Sequence, residues 1–342
     1  MAQPQIDASV IVATYNQLEA TTLALRALFA QKTGYRFEVV VCDDGSDSAT
    51  IGGRRNVIEA APVPAYLTWQ QDRGFRAAAS RNNGIRLARG RIVIMVDGDM
   101  VPEEDFVEAH MRTHERDRVV AVGRRLWRNP EGTEIGRSDI QALWPLLRGD
   151  DAIDRLSRAT EAFEMLYRHV LWKAAPWMTC STCNISVPKS PLVEFDETFV
   201  GWGYEDYDLF YGLNSVHGFE VIPIEVDAYE VHGRVDKGET WKQDHFVGHL
   251  VNGFRFQDKW ARTGLKIEQS IPRYDLDPET DCWWFSSLPI VGGRTNDFPA
   301  YVERTRQWLK EKGLYPKVSE VAFGPYAAIE ASYNEGIHPV LD

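Results

Sequence analysis

The chain has 342 residues, of which 44% are hydrophobic, so it can bury a substantial core and is neither disordered nor fibrous. Its 50 acidic residues outnumber its 38 basic residues, and the net charge of -12 argues against broad capture of nucleic acid or of an anionic membrane face. Four cysteines are too few for a disulfide scaffold and suit a reducing compartment. With no signal-peptide pattern and no apolar run that could span a bilayer, we expect no transmembrane segment. The expected location is the cytoplasm, with peripheral attachment to the inner face of the membrane as an alternative.

The first third of the chain alternates between strand-like and helix-like segments. Residues 9–14, 37–42, 66–70 and 91–96 are short and rich in β-branched or aromatic residues, and amphipathic stretches of helical length separate most of them. This alternation predicts an α/β fold with a mostly parallel central sheet and helices on both faces. Ligands of such sheets bind at the carboxyl ends of the strands. The polar residues after each strand are therefore candidate site residues: Thr14, Tyr15 and Asn16, then Asp43 and Asp44, then Asp97 and Asp99.

The fourth predicted strand runs directly into Asp97-Gly98-Asp99. Two carboxylates so close together repel each other unless a cation binds them, and Mn²⁺ or Mg²⁺ carrying a phosphate is the natural partner. Gly98 allows the chain to turn closely around a ligand. An ordinary Asp-Gly surface turn is the alternative. The preceding buried strand and a predicted helix start at residues 102–104 favour the metal site.

Six arginines lie in the stretch QDRGFRAAASRNNGIRLARGR, residues 71–91. A helix over 77–89 would place Arg76 near its N-terminal end and Arg81 in its interior turns. A diphosphate would fit at this end, where backbone N–H groups and the helix dipole add to the guanidinium charge. A solvated basic helix face is the alternative, which stays open for Arg76 and Arg81 and is favoured for Arg86, Arg89 and Arg91.

Cys180 and Cys183 form a C-x-x-C motif, which could be a redox pair or half of a zinc site. The sequence contains no second pair, and neither Cys42 nor Cys282 has a cysteine or histidine nearby at ligand spacing. A structural role is therefore the favoured interpretation.

Several segments together resemble family 2 glycosyltransferases of the GT-A fold. The nucleotide-sugar half of that family is matched by ASVIVATYNQ, VVVCDDGSDSAT and QDRGFRAAASRNNGIRLARGRIVIMVDGDMVPEEDF. The acceptor half is matched by STCNISVPKSPLVEFDETFVGWGYEDYDLFYGLNSVHGFEV. The transferase modules of bacterial chondroitin and related glycosaminoglycan polymerases are most similar, and GWGYEDYDL also resembles a segment of β-1,4-galactosyltransferases. The likeness covers about residues 7 to 235.

The resemblance implies a UDP-sugar donor, a Mn²⁺ or Mg²⁺ cofactor and a role for each matching residue. Asp206 would be the catalytic base, Asp99 would bind the metal, and His232 would also bind the metal or else contact the diphosphate. The modules tend to have W-G-G-E-D, where this chain has Tyr204 in place of the second glycine, which predicts a narrower or differently shaped acceptor pocket. Acceptor binding would fall to Glu205, Trp202 and Tyr204. With the two arginines of the predicted diphosphate site included, the nucleotide-sugar site would comprise Thr14, Tyr15, Asn16, Asp43, Asp44, Arg76, Arg81 and Asp97.

The sequence therefore predicts a metal-dependent, inverting hexosyltransferase that moves a sugar from a UDP-sugar to an acceptor hydroxyl. The acceptor would be a carbohydrate, glycolipid, peptide or small metabolite. One alternative is a catalytically silent sugar-nucleotide-binding partner protein, which the full set of carboxylates disfavours. Another is a sugar-phosphate nucleotidyltransferase, but the segment ATYNQLEA lacks the glycine-rich phosphate loop expected there.

Four segments divide the chain in this interpretation. Residues 1–123 form the nucleotide-sugar half, 124–175 an insertion that shapes the acceptor site, and 176–240 the half that carries acceptor and base. Residues 241–342 form a mixed helical extension, which wraps the catalytic domain or provides a homodimer contact.

Overall fold

A computed structural model describes residues 5–127, 175–230 and 238–265, together with 274–277, 282–285, 303, 307, 310–311 and 328–331. Strands and helices alternate through the first described range. They are β1 (Ala8–Thr14), α1 (Leu18–Phe29), β2 (Phe37–Asp43), α2 (Ser48–Glu59), β3 (Ala65–Trp69), α3 (Ala77–Leu87), β4 (Ile92–Asp97), β5 (Met100–Pro102), α4 (Phe106–Thr113) and β6 (Val119–Trp127).

The later elements include one long helix. In chain order they are a 3₁₀-helix (Pro176–Thr179), β7 (Ile185–Pro188), α5 (Glu205–Tyr211), a π-helical turn (Gly212–Val216), β8 (Glu220–Glu230), α6 (Gly238–Trp260), β9 (Tyr274–Asp277), β10 (Cys282–Phe285) and β11 (Ala328–Ala331).

The described strands form a nine-stranded sheet in the order β11-β3-β2-β1-β4-β7-β6-β8-β5, while β9 and β10 form a separate antiparallel pair. Strands β3, β2, β1 and β4 are mutually parallel, as predicted. The other half is mixed, because β7 is antiparallel to both β4 and β6 while β6 and β8 are parallel. The order of the strands brings the ends of β1, β2 and β4 to one edge.

Alternate residues of the central strands feed two hydrophobic cores, one on each face of the sheet. Val10 and Val12 of β1 pack on the face covered by α1, α2 and α4. Ile11, between them, packs on the opposite face with α3, α5 and part of α6. Gly84 allows α3 to approach this second face, because a Cβ there would lie 2.3 Å from Cys42 Sγ. The helices on both faces confirm the predicted α/β layering.

Some predicted element bounds differ from the structure. Residues 102–104 do not begin a helix, because Pro102 ends β5 and the helix begins at Phe106. Helix α6 spans the predicted boundary after residue 240, and most of the predicted insertion at 124–175 lies outside the described residues. Within the described part of the chain, no helix combines the length and apolar character needed to cross a membrane.

Candidate active site

A cleft of about 1230 Å³ opens where β1, β2 and β4 end. It also receives residues 178–182, the loop and helix start at 201–207, and His249 of α6. Eleven of the predicted site residues line this cleft: Thr14, Tyr15, Asn16, Asp44, Arg81, Asp97, Asp99, Trp202, Tyr204, Glu205 and Asp206. Asp43 and Arg76 do not line it, and His232 lies outside the described residues.

The wall behind the β1 and β2 ends is held together by Arg54 of α2, whose side chain is fully buried. Its guanidinium pairs with Asp43 and donates to Asn16 O, and it donates to Thr14 Oγ1 at 2.7 Å. The Asn16 N–H in turn donates to Ser46 Oγ at 2.6 Å. These bonds fix a loop in which Asn16 and Gln17 both have left-handed backbone conformations, with φ of 52° and 53°.

Asp43 therefore has a structural role, which corrects the prediction that it contacts the donor. Besides Arg54, its carboxylate accepts hydrogen bonds from the N–H groups of Gly45 (2.9 Å) and Ser46 (2.6 Å). Its side chain is fully buried. The two adjacent aspartates therefore have different roles. Asp43 stabilises the turn at residues 45–46, and Asp44 lines the cleft.

Asp44 presents a buried carboxyl group to the cleft. Burial raises its pKa to about 6, although hydrogen bonds from the Arg76 N–H (2.7 Å) and from Gln70 Nε2 (2.5 Å) oppose the shift. The Arg76 guanidinium is turned away and donates to Gln71 O at 2.8 Å. Arg76 supports Asp44 through its backbone, which corrects the prediction that its side chain binds the diphosphate.

Tyr15 and Asp72 meet at the mouth of the cleft, where Tyr15 OH donates to Asp72 Oδ2 at 3.1 Å. Burial and this bond to Asp72 raise the pKa of the Tyr15 hydroxyl. The turn at Gly45, with φ of 101°, permits the arrangement, because a Cβ there would lie 2.4 Å from the Asp72 Cα. Asp72 lies in the segment QDRGFR, but neither its arginines nor the family resemblance predicted a role for the Asp72 carboxylate.

Asp97 and Asp99 both line the cleft at the end of β4. A Cβ at Gly98 would lie 2.8 Å from the Thr14 side chain, so glycine is needed where the β4 turn packs against β1. Among the described residues, no group of three or more histidine, cysteine, aspartate or glutamate side chains is arranged to hold a metal ion. Mg²⁺ and Mn²⁺ commonly bind through only one or two carboxylates plus substrate phosphates, so the Asp97–Asp99 pair fits such an ion.

Arg81 of α3 lies at the centre of the charged residues. Its Nη2 donates to Asp97 Oδ1 at 3.0 Å, and its Nη1 lies 3.3 Å from Glu205 Oε1 and 3.7 Å from Asp206 Oδ1. Burial would lower the pKa of Arg81, but the charges of Asp206, Asp97 and Glu205 outweigh it and raise the pKa. Arg81 was predicted to face a diphosphate; in the structure it joins carboxylates from both halves of the cleft.

Glu205 and Asp206 begin α5 on the opposite side of the cleft. Burial, together with the charge of Asp206, raises the pKa of Glu205 to about 7. Burial also raises the pKa of Asp206, while Arg81 and the hydrogen bonds from Thr182 N (3.1 Å) and Thr182 Oγ1 (3.2 Å) oppose the shift. Both bonds fall on Asp206 Oδ2, whereas Asp206 Oδ1 accepts no hydrogen bond from the described residues. The pair can therefore take up a proton near neutral pH.

The Thr182 loop also contains the C-x-x-C motif. Cys180 packs in the core on the α3 side of the sheet and Cys183 in the core on the other side, and each is only 1% exposed. Side chains that point into different cores do not form a redox pair, so the structural interpretation of this motif is supported.

The aromatic residues before α5 differ in exposure. Trp202 is 41% exposed on the cleft, whereas Tyr204 is only 6% exposed. The Tyr204 ring packs edge-on against His249, with centroids 4.8 Å apart, and against Tyr207 at 5.4 Å. The tyrosine therefore packs towards α6 while still lining the cleft, and the expectation of a narrower or differently shaped acceptor pocket stays a prediction.

Two further cleft residues were missed in the sequence. Arg125 follows the last core residues of β6 and its Nη2 lies 2.5 Å from Glu230 Oε2 at the end of β8. His249 lies in the middle of α6, a segment without a recognisable motif. Only the packing of distant segments brings these two residues to the cleft.

The fold belongs to the GT-A class of glycosyltransferases. Staphylococcus aureus TarS, residues 1–349, superimposes with a TM-score of 0.51 and 18% identity over 90% of this chain and 79% of that chain. GalNAc-T7 with UDP, GalNAc and Mn²⁺ gives a TM-score of 0.50 and 12% identity over 76% of this chain and 49% of that chain. At these identities the likeness establishes the fold alone, and it confirms the predicted fold class.

The sequence comparisons find similarity to family 2 glycosyltransferases. The model described as glycosyl transferase family 2 matches residues 9–173 of this chain. Validoxylamine A glucosyltransferase of Streptomyces hygroscopicus subsp. jinggangensis is 28% identical over 77% of this chain and 65% of that protein. Hyaluronan synthase of Pasteurella multocida is 28% identical over 60% of this chain and 22% of that protein, and chondroitin synthase of Escherichia coli is 28% identical over 60% and 32%. The matched regions thus span less than two thirds of the first relative and no more than a third of the two synthases.

Proposed function

We propose that this protein is a metal-dependent, inverting hexosyltransferase that moves a sugar from a UDP-sugar to an acceptor hydroxyl. The observation that carries the proposal is the link through Arg81, which lies 3.0 Å from Asp97 and 3.7 Å from Asp206. One carboxylate lies on the side where the β1, β2 and β4 ends would bind a nucleotide, and the other lies where an acceptor would enter. A single cleft thus combines the groups for leaving-group and acceptor chemistry.

The donor would lie along the ends of β1, β2 and β4. Thr14, Tyr15 and Asn16 would wall the base pocket, and the Asp44 carboxylate, held by Gln70 and the Arg76 N–H, would accept from the uracil or ribose. Asp97 would face the ribose and sugar. Asp99, with His232, would hold Mn²⁺ or Mg²⁺, which when bound would stabilise the charge that develops on the departing diphosphate.

Asp206 would act as the base. Its Oδ1 would take the proton of the acceptor hydroxyl as that oxygen forms a bond to the anomeric carbon and the bond from this carbon to UDP breaks. Thr182 would hold Oδ2 in place, and Glu205 would bind a second acceptor hydroxyl. Attack from the face opposite UDP inverts the configuration, so an α-linked donor would give a β-linked product.

The acceptor would be a hydroxyl of a carbohydrate, glycolipid, peptide or small metabolite. The relatives named for validoxylamine A, hyaluronan and chondroitin suggest sugars or sugar-like molecules as the first candidates. We further propose that the protein acts in the cytoplasm, at or near the membrane surface, and that residues 241–342 form an extension able to provide a homodimer contact.

The proposal is tested with purified protein, Mn²⁺, a panel of UDP-hexoses and a panel of p-nitrophenyl glycosides as acceptors. We expect transfer with at least one pair of substrates and an inverted anomeric centre by proton NMR. Asp206→Asn should lower kcat by about 10² to 10⁴-fold while calorimetry still detects UDP binding. Asp258→Asn, on an exposed part of α6, is the matched control and should retain full activity. Retention of anomeric configuration, or full activity of Asp206→Asn, would refute the mechanism.

A further inference from the structure

Helix α6 is attached to the loop that carries Trp202 by several close contacts. Asn252 Nδ2 donates to Gly203 O at 2.8 Å and to Val200 O at 3.2 Å. A Cβ at Gly248 would lie 3.2 Å from the Trp202 backbone nitrogen, so glycine permits helix and loop to touch. The second half of α6 is therefore bound directly to this loop.

The same helix is also bound to α5, which begins with Glu205 and Asp206. Asp208 accepts hydrogen bonds from Trp260 Nε1 at 2.8 Å and from Lys259 Nζ at 2.7 Å. Beyond the helix, Tyr211 OH and Thr263 Oγ1 lie 2.6 Å apart. Because the second half of α6 is bound to both the Trp202 loop and α5, these contacts fix the position of His249 relative to the two carboxylates.

Among the described side chains of α6, His249 is the one that lines the cleft. Its ring centroid lies 4.7 Å from that of Trp202 and 4.8 Å from that of Tyr204, so the imidazole is held between two aromatic rings. Gly203 leaves room for it, since a Cβ there would lie 2.9 Å from His249 Nδ1. The imidazole thus places a polar group beside the exposed ring of Trp202 on the acceptor side.

The conformation of Tyr204 explains how this arrangement is maintained. Its backbone φ angle is 74°. Glycine adopts this left-handed conformation without strain, whereas it destabilises other residues by about 1–2 kcal/mol. The tyrosine ring offsets that cost by packing against His249, Tyr207 and Phe256. Tyr204 thus has a backbone conformation typical of glycine, and its large ring connects α6 to the start of α5.

We infer that α6 completes the acceptor site and that His249 is an acceptor-specificity residue, which hydrogen-bonds a hydroxyl of a sugar ring lying on Trp202. The inference rests on the proposed function and extends it by assigning part of the acceptor site to the region after the catalytic carboxylates. Aromatic faces bind the apolar face of a pyranose, and the adjacent imidazole can exchange hydrogen bonds with its rim of hydroxyls. Tyr204 is a positioning residue, because it acts through His249.

The test uses the full-length protein with Mn²⁺ and the UDP-hexose and p-nitrophenyl glycoside that give the highest rate. His249→Phe keeps a ring between Trp202 and Tyr204 but removes the hydrogen bond, and it should raise the acceptor KM about fivefold or more. The donor KM should change less than about twofold. His249→Gln retains a hydrogen-bonding group and should recover part of the loss. His217→Phe, at an exposed histidine outside the cleft, is the matched control.

Tyr204→Gly provides a second, independent variant. Glycine suits the backbone at this position, so the protein should fold, while loss of the ring should raise the acceptor KM as His249→Phe does. Equal acceptor KM values in the unsubstituted protein, His249→Phe and Tyr204→Gly would overturn the inference and leave the proposed function intact. No transfer by the unsubstituted protein with any pair of substrates would overturn the proposed function and the inference with it.

Discussion

The guanidinium of Arg81 donates a 3.0 Å hydrogen bond to Asp97 Oδ1 at the end of β4. Its other terminal nitrogen lies 3.3 Å from Glu205 Oε1 at the start of α5. These two carboxylates are separated by more than a hundred residues in the sequence, and their mutual repulsion would push the halves of the cleft apart. A single buried cation therefore holds the two halves together, and it opposes the rise that burial causes in the pKa of Glu205 and of Asp206.

Replacing Arg81 should damage both folding and activity. In Arg81→Met, Asp97, Glu205 and Asp206 would lose their common partner, and we expect the free energy of unfolding to fall by about 3 kcal/mol. Arg81→Lys keeps one positive charge but cannot contact all three carboxylates, so it should be stabler than Arg81→Met yet at least about 100-fold less active than the unsubstituted protein. Urea unfolding and the transfer assay measure the two effects.

Arg86, further along the same helix, provides the control for Arg81. Arg86 is 40% exposed and pairs with Glu194 and Glu197, and such surface pairs contribute about 0–1 kcal/mol. Arg86→Met should therefore stay active and lose little stability. If Arg81→Met proved as stable and active as Arg86→Met, the organising role of Arg81 would be disproved.

The pH dependence of the reaction should report the Glu205–Asp206 pair. Burial raises the pKa of both groups, that of Glu205 to about 7, so the pair takes up a proton as the pH falls through this region. Because a protonated Asp206 cannot accept the proton of the acceptor, kcat/KM should fall on the acid side with a midpoint above the usual range of carboxyl groups. A pH profile at fixed Mn²⁺ concentration measures this midpoint.

Thr182 allows the assignment of that midpoint to be checked. Its hydroxyl hydrogen-bonds Asp206 and lowers the pKa of that carboxyl, so Thr182→Val should move the acid limb to higher pH. Thr179 also lines the cleft, but its hydroxyl donates to Pro176 O at 2.7 Å, and Thr179→Val should leave the limb where it was. A limb that does not move in Thr182→Val would mean that Asp206 is not the titrating base.

The transfer reaction should require a divalent metal ion that Asp99 helps to bind. EDTA should abolish transfer and Mn²⁺ should restore it, and Asp99→Asn should raise the Mn²⁺ concentration for half-maximal activity about tenfold or more, because one anionic ligand becomes neutral. Asp117→Asn replaces an exposed aspartate far along the chain from the motif and should show an unchanged requirement. Full activity in EDTA would contradict the metal role of both Asp99 and His232.

Local patterns were sufficient to predict the nucleotide half of the fold and the place of the cleft. Strands β1, β2 and β4 are short apolar runs that end in polar residues, and a parallel arrangement brings those ends together regardless of how the rest of the chain packs. The predicted helix start at residues 102–104 failed because Met100–Pro102 pairs with β8, a strand more than a hundred residues away. A short segment cannot reveal such a partner.

The partition of roles within the site was harder to predict. Asp43 and Asp44 are chemically identical neighbours, but the Asp43 carboxylate binds Arg54 and the turn at residues 45–46, whereas the Asp44 carboxylate lies at the cleft. Arg76 and Arg81 likewise look equivalent in the sequence, but only Arg81 points into the cleft. His249 reaches the site from a helix whose sequence contains no motif, since its position depends on the packing of α6 against the Trp202 loop.

A buried histidine pair should make the protein sensitive to acid. His110 Nδ1 and His114 Nε2 lie 2.8 Å and 2.7 Å from the same Ser186 hydroxyl, and burial lowers the pKa of His110 to about 3 and that of His114 to about 4. The folded protein keeps both rings neutral, so their contribution to stability is full above about pH 6.5 and is lost as the pH falls towards these lowered pKa values.

His114→Gln tests this expectation, because glutamine retains a hydrogen bond to Ser186 but cannot titrate. Between pH 6 and pH 4.5 its free energy of unfolding should therefore fall less steeply, by up to about 1.4 kcal/mol per pH unit, than that of the unsubstituted protein. Urea unfolding at a series of pH values measures both slopes, with His217→Gln at an exposed histidine as the control, and equal slopes in all three proteins would show that the buried pair does not govern acid stability.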